Sequence, residues 1–219
     1  MPKLTIETLK REAQTFSRAE SRHKEKSLFG ITDSKEVDMY LEHKFKEHLR
    51  NKYDFEGGNS TSGIDFPDLQ VDIRFTDIYQ PYSSYPFKSV WQKIYGLGCS
   101  LLWFMYEKTD NTKSRSATMN ILHTLFMNHD RTADYQTTKG LISILENEGN
   151  KEDLMAFMFD LFLLTDESEA NELANEILAN PPKLGYVRIS NALSRQMQYL
   201  KAIERASQEK HIDLLFKVN

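Results

Sequence analysis

Apolar residues recur along the first fifty positions at helical rather than strand spacing. Leu4, Leu9, Ala13 and Phe16 give a weak apolar side to a helix expected over residues 5–26, with charges elsewhere. A loop over 27–32 contains Gly30, and Asp33 followed three residues later by Glu36 has the form of a capping box. The helix it opens should run to Lys52 with Val37, Leu41, Phe45 and Leu49 inward and Glu42 at the edge of that face. The turn-rich stretch YDFEGGNSTSG then leads into a change of period. Over 71–76 the side chains alternate, with Val71, Ile73 and Phe75 to one side and Asp72, Arg74 and Thr76 to the other, as in a strand with one core face. Just upstream, Phe66-Pro67-Asp68-Leu69 reads as a turn, because proline presets φ and aspartate can bond its own backbone. A hairpin-like reversal there brings Asp65 back beside Asp72.

Residues 80–87 hold two prolines and exclude long regular structure. Val90, Ile94 and Leu97 sit at helical spacing, Gly98 ends that short helix, and the continuous apolar run over 100–106 reads as a buried strand. Strand, crossover helix and buried strand form a βαβ unit, expected to be right-handed and part of a sheet covered on both faces. Beyond Glu107, helices are expected over 114–128, 137–148, 151–164, 167–178 and 190–206. The fold class is therefore α/β (α+β). A mixed sheet core with N-terminal helices is expected over 1–110, and a largely helical region packed on it over 111–219.

The composition narrows the class of protein. A chain of 219 residues, 40% hydrophobic, can bury one sizeable core, and 13 Phe and 10 Tyr argue against a disordered chain. A net charge of −4 excludes a uniformly basic nucleic-acid binder but not a local basic surface. Acidic residues concentrate in 146–176, a surface that should face away from any polyanion. The segment 183–206 is the opposite, with Lys183, Arg188, Arg195, Lys201 and Arg205 interleaved with Tyr186, Asn191, Gln196, Gln198 and Tyr199. These are the side-chain types that phosphate and base-edge contacts require, although an ordinary amphipathic helix carries such charges too. The single Cys99 has no intrachain partner and reads as a small buried hydrophobe in a reducing compartment. No apolar stretch approaches a membrane span and the N-terminus lacks a signal-peptide core, so a cytoplasmic protein is expected. There is no P-loop, zinc-ligand spacing or nucleophile elbow.

Two carboxylates converging at Asp65 and Asp72, with Arg74 two residues along the strand, are what a hard divalent metal and a phosphodiester need. A half-exposed edge strand with surface charges can carry the same tripeptide. Asp65, six intervening residues and then Asp72-Ile73-Arg74 resembles the PD-(D/E)XK nuclease signature, in the compact form of the mismatch-repair nicking endonuclease MutH and related type II restriction endonucleases. Val37 to Leu41-Glu42 resembles the family's Val-x-x-x-Leu-Glu pattern on an earlier helix, and Gln92 and Tyr95 before the apolar strand resemble its βαβ core. The resemblance spans residues 33–107.

This resemblance implies a restriction-endonuclease-like fold and Mg²⁺-dependent hydrolysis of double-stranded DNA, most simply by a homodimeric type II restriction endonuclease. It places Asp65, Asp72 and Glu42 at the metal and Arg74 at the developing charge. DNA contacts are expected from Gln92, Arg188, Arg195, Gln198, Lys201 and Arg205. Asp68 is an alternative to Asp65, since it supplies the literal Pro-Asp pair. The loop between Glu42 and Asp65 is longer than in the nicking enzyme. Arg74 stands where the family usually has lysine, and a guanidinium cannot lose its proton near neutral pH. Lys88 and Lys93 are the candidates for a relocated lysine. A nuclease fold so altered could also serve as a non-cleaving DNA-binding or protein-interaction module, and a single motif also suits a MutH-like nickase.

Overall fold

The apolar face of the second helix decides where the sheet lies. A computed structural model describes residues 1–58, 63–79, 87–187, 200–206 and 208–218, with Leu200 and Lys201 described by their backbone alone. Helix α1 (Ile6–Glu20) and helix α2 (Ser34–Arg50) both cover one side of a four-stranded sheet. Asp33 caps α2 by accepting from the Lys35 amide at 2.9 Å. Val37, Leu41, Phe45 and Leu49, one per turn, are all buried against strand β1 (Val71–Asp77) and its neighbour. Phe45 meets Phe104 edge-on at 5.1 Å and Phe16 of α1 at 5.0 Å, while Phe104 stacks on Phe75 of β1 at 4.5 Å.

The sheet order is β1-β2-β3-β4, where β2 is Ser100–Asn111, β3 is Ser116–Met127 and β4 is Ile212–Lys217. β1 and β2 run parallel, with Asp72 opposite Leu101 and Arg74 opposite Trp103, and the crossover between them contains helix α3 (Val90–Tyr95). β2–β3 and β3–β4 are antiparallel. The expected βαβ pairing and the mixed α/β class are both present. Leu101, Trp103, Met105, Leu125 and Met127 form the second face of the sheet, covered by Phe87, Tyr186, Val187, Ala202 and Ala206.

One expected element has the wrong type. Residues 114–128, expected as a helix, form β3. Ala117, Met119 and Ile121 face α1 and α2 at strand period, but the register shifts so that Met105 pairs with His123 and Tyr106 with Ile121, leaving Leu122 as the extra residue of a bulge. After it Thr124 and Phe126 take over the same face. An inserted residue flips the parity of a strand, and the resulting Ile121–Leu125 and Leu122–Phe126 spacings mimic a helix. β4 was not expected at all. The C-terminal region therefore gives two strands to the core sheet, and the expected boundary at 110/111 falls at the end of β2, where it turns into β3.

Helices α4 (Tyr135–Glu146), α5 (Lys151–Asp160) and α6 (Glu167–Ala179) lie close to their expected positions. With Ile94 of α3 they build a separate apolar cluster around Leu141, Leu154, Met158 and Leu173. Helix α7 (Leu200–Arg205) buries Ala202 on the second face of the sheet. The rest of the helix expected over 190–206 lies outside the described residues.

Phe45 is fully buried and joins both N-terminal helices to the sheet. Phe45→Ala should therefore lower stability by about 3–5 kcal/mol. A shift of the urea midpoint at unchanged slope checks this, and a loss below about 1 kcal/mol would mean that α2 is not held through this contact.

Candidate active site

The reversal before β1 is built from the residues that signal it. Pro67–Leu69 form a single 3-10 turn, and Gln70 takes a left-handed conformation at φ 51°. Phe66 and Val71 then exchange both backbone hydrogen bonds, at 2.9 and 3.2 Å, which sets Asp65 opposite Asp72. Asp65 Oδ2 accepts from the Ile73 amide at 2.8 Å. The preceding loop braces the turn from behind, because the Gly58 amide donates to the Asp65 carbonyl at 2.8 Å. A Cβ at position 58 would lie 1.8 Å from the Ile64 carbonyl oxygen, so only glycine allows that approach.

The two carboxyl groups meet at the floor of a cleft of about 320 Å³, lined among others by Glu42, Gly58, Gly63, Asp65, Asp72 and Arg74. They are hydrogen-bonded to each other. Burial pushes the Asp72 carboxyl up to about 7; the Arg74 guanidinium, 2.7 Å away, works against this, and the Asp65 and Glu42 charges add to it. Burial alone would raise Asp65 as well. The bonds it accepts from Asp72, Lys46 and the Ile73 amide instead hold it below the usual carboxylate range. The pair thus keeps one proton on the Asp72 side.

Lys46 was not expected here. It projects from α2, donates to Glu42 Oε1 at 2.7 Å and is also bonded to Asp65 Oδ1. Its only signal in the sequence is its place one residue after Phe45, as Glu42 follows Leu41. The i, i+4 pair so formed is ordinarily a solvated one.

The other candidates are distributed as follows. Asp68 lies in the 3-10 turn and lines a different cleft with Asp54 and Glu56, which favours Asp65 as the acid beside Asp72. Lys88 is exposed, with its Nζ 3.2 Å from where a Cβ on Gly63 would sit, at the rim of the cleft. Lys93 is half-buried at the contact of α3 with Asp134 and does not line the cleft. Gln92 accepts from the Lys88 amide at 2.7 Å and closes the first turn of α3. Arg205 is exposed on α7. Arg188, Arg195 and Gln198 lie outside the described residues, as does the Lys201 side chain. Cys99 is buried, and burial chiefly, helped by the Asp72 charge, pushes its thiol up to about 11.

Among the described residues no three Asp, Glu, His or Cys side chains come together as a metal-ligating set. Two carboxylates open to a cleft are nonetheless a donor set that suits a hard cation which keeps much of its water. The Glu42 carboxylate is turned to Lys46.

Comparison with known proteins gives the family. No solved structure matches the chain. The chain is 55% identical to the type II restriction enzyme NspV of Nostoc sp. over 216 residues, covering 99% of this chain and 98% of the relative. The family model described as type II restriction enzyme NspV matches residues 3–213. The chain belongs to the NspV family of type II restriction enzymes, site-specific deoxyribonucleases.

Proposed function

We propose that this restriction endonuclease is Mg²⁺-dependent, that Asp65 and Asp72 hold the cation, and that two copies of the chain act together on double-stranded DNA in the cytoplasm. The observation that carries the metal site is the hydrogen-bonded pair itself, a buried Asp72 and a part-buried Asp65 carboxyl sharing a proton at the floor of an open cleft. A cation bound there would polarise the scissile phosphate and acidify the attacking water.

The chain's own residues do the remaining work. Asp72 must give up its proton before it can serve as a ligand, so metal affinity should fall as the pH drops below about 7. Arg74 stands beside Asp72 with its side chain 45% exposed, placed to donate to phosphate oxygens as negative charge develops. Glu42 borders the cleft from α2 and is placed to orient a water. The basic segment 183–206 supplies backbone contacts to DNA.

Asp72→Asn should abolish cleavage while leaving DNA binding near the native level, since phosphate contacts are not removed. Asp65→Ala should behave alike. The same Asp72→Asn variant should be more stable than the native metal-free protein at pH 8, by roughly 1–3 kcal/mol. The folded Asp72 keeps its proton up to about 7 while the unfolded one loses it near 3.8, so the native protein loses stability as pH rises through that window. Asparagine carries no charge to lose. Denaturant titrations at pH 5 and pH 8 check the sign, and an advantage that shrinks with rising pH would contradict it.

Arg74→Ala should slow cleavage by about 10²- to 10³-fold, the cost of removing one preorganised donor to a transition-state anion. Arg74→Lys should keep much of the rate, because a cation stays in place. Single-turnover rates on a long DNA at saturating enzyme separate the two.

A symmetric duplex site cut on both strands needs two active sites, and one chain carries a single motif, so a two-fold dimer is the simplest assembly. Sedimentation in the presence of DNA should give twice the mass of the chain bound per site. A single chain bound per site would favour nicking instead.

A further inference from the structure

Two residues along β1 from Asp72 stands Arg74, paired with it at 2.7 Å and 45% exposed. A lysine reaches the acid pair from the opposite side. Lys46 comes from the middle of α2, with its side chain 16% exposed, and its ammonium lies between Glu42 and Asp65. Lys88 is exposed at the rim, and Lys93 faces Asp134. Lys46 and Arg74 therefore bracket the two carboxyl groups, one cation on each.

A structural role explains this placement poorly. Helix α2 is held by Val37, Leu41, Phe45 and Leu49, all fully or almost fully buried, and does not need a further ion pair to stay in place. Desolvating a lysine and an aspartate costs about as much as their attraction returns, and apolar side chains of similar volume are often as stable. Both partners of Lys46 line the cleft. An ammonium carries three donors, and Glu42 and Asp65 take two of them among the described residues, which leaves one for a ligand oxygen.

Resting on the metal-nuclease reading above, we infer that Lys46 is a catalytic residue of this site, supplied by α2 and donating to a non-bridging oxygen of the scissile phosphate. Its role is electrostatic. The ammonium neither gains nor loses a proton. The new bond to phosphorus comes from the water oxygen, the bond to the leaving oxygen breaks with its electron pair, and the water's protons pass to the leaving oxygen and to solvent. Arg74 and Lys46 share the stabilisation of the developing charge, which is how the site works with arginine at the strand position.

The test is single-turnover cleavage of a long DNA, over a series of Mg²⁺ concentrations up to saturation, by Lys46→Met, by Lys46→Cys before and after alkylation with 2-bromoethylamine, and by Asp72→Asn. DNA affinity is measured with Ca²⁺ in place of Mg²⁺. Methionine keeps the stem without the charge, and alkylation of cysteine rebuilds an aminoethyl side chain of lysine's length. Cys99 is buried, so the reagent addresses the new thiol, and treated native protein is the control. Lys46→Met should cleave about 10²-fold more slowly, the loss expected for one preorganised donor, with DNA affinity in Ca²⁺ within a few-fold of native, and its melting temperature should fall because Asp65 and Glu42 lose their partner. Alkylated Lys46→Cys should regain at least about a tenth of the native rate, against about a hundredth before treatment. Native-rate cleavage by Lys46→Met would overturn the assignment. So would a defect that disappears at higher Mg²⁺, because Lys46 would then only shape the metal site, or a defect that alkylation leaves untouched. Cleavage by Asp72→Asn at the native rate is a different failure, since it removes the metal site on which the role of Lys46 rests.

Discussion

The contact on which the rest depends is the seating of Phe45 of α2 against Phe104, which in turn stacks on Phe75 of β1. Glu42 and Lys46 each follow an inward apolar residue by one position, about 100° further round the helix. Whatever seats Leu41 and Phe45 therefore sets both polar side chains at the rim of the same interface, over the start of β1. Core packing and site geometry are one constraint here. Because packed side chains give way little, the ammonium of Lys46 is held beside Asp65 by aromatic contacts far from any solvent.

Burying two carboxyl groups side by side is expensive, and the means of offsetting that cost separates these acids from others in the protein. Glu12 is as deeply buried as Asp72, and burial would raise it, yet bonds from Lys52 at 2.7 Å, His48 at 2.9 Å and Tyr53 at 3.0 Å hold it down to about 2. That acid is saturated by fixed donors and belongs to the scaffold. Asp72 has one cation, one acidic neighbour and a retained proton, and it opens to a cleft. An acid left short of partners at the floor of a cleft is what a ligand completes, and that supports reading the pair as a metal site.

The parts of the fold that could be read from the sequence are those whose pattern is local. The apolar stripe of α2, the turn at Pro67 and the alternation of β1 each follow from residues that are neighbours in the chain, and together they place Asp65 opposite Asp72. β3 was misread because a bulge at Leu122 breaks its period, and the bulge is set by pairing with β2 rather than by β3 itself. β4 has only six residues and is recognisable only against the partner strand that pairs with it. Helices α4 to α6 follow from periodicity in the sequence, and in the structure Asp134, Asn150 and Asp166 cap them, each accepting from a backbone amide three residues on.

Lys46 is hidden in the sequence for a related reason. Lys88 and Lys93 are the lysines that next follow Arg74 in the chain, and the structure accounts for Lys93 lying away from the cleft. Helix α3 has only six residues and cannot persist alone. Ile94 pins it into the cluster of α4 to α6, and the Lys93 carbonyl accepts from the Asp134 amide at 2.9 Å, so the helix is oriented by the C-terminal helices and not by the cleft. Lys46 lies nineteen residues before Asp65 in the chain and stands to Glu42 as i+4, the spacing of an ordinary helical ion pair. Only the packing of α2 on β1 sets that pair beside the cleft, with Glu42 lining it and Lys46 bonded to Asp65. A cation on a packed helix is also held more firmly than one on the loop after β1, and preorganisation of this kind is what electrostatic stabilisation of a transition state requires.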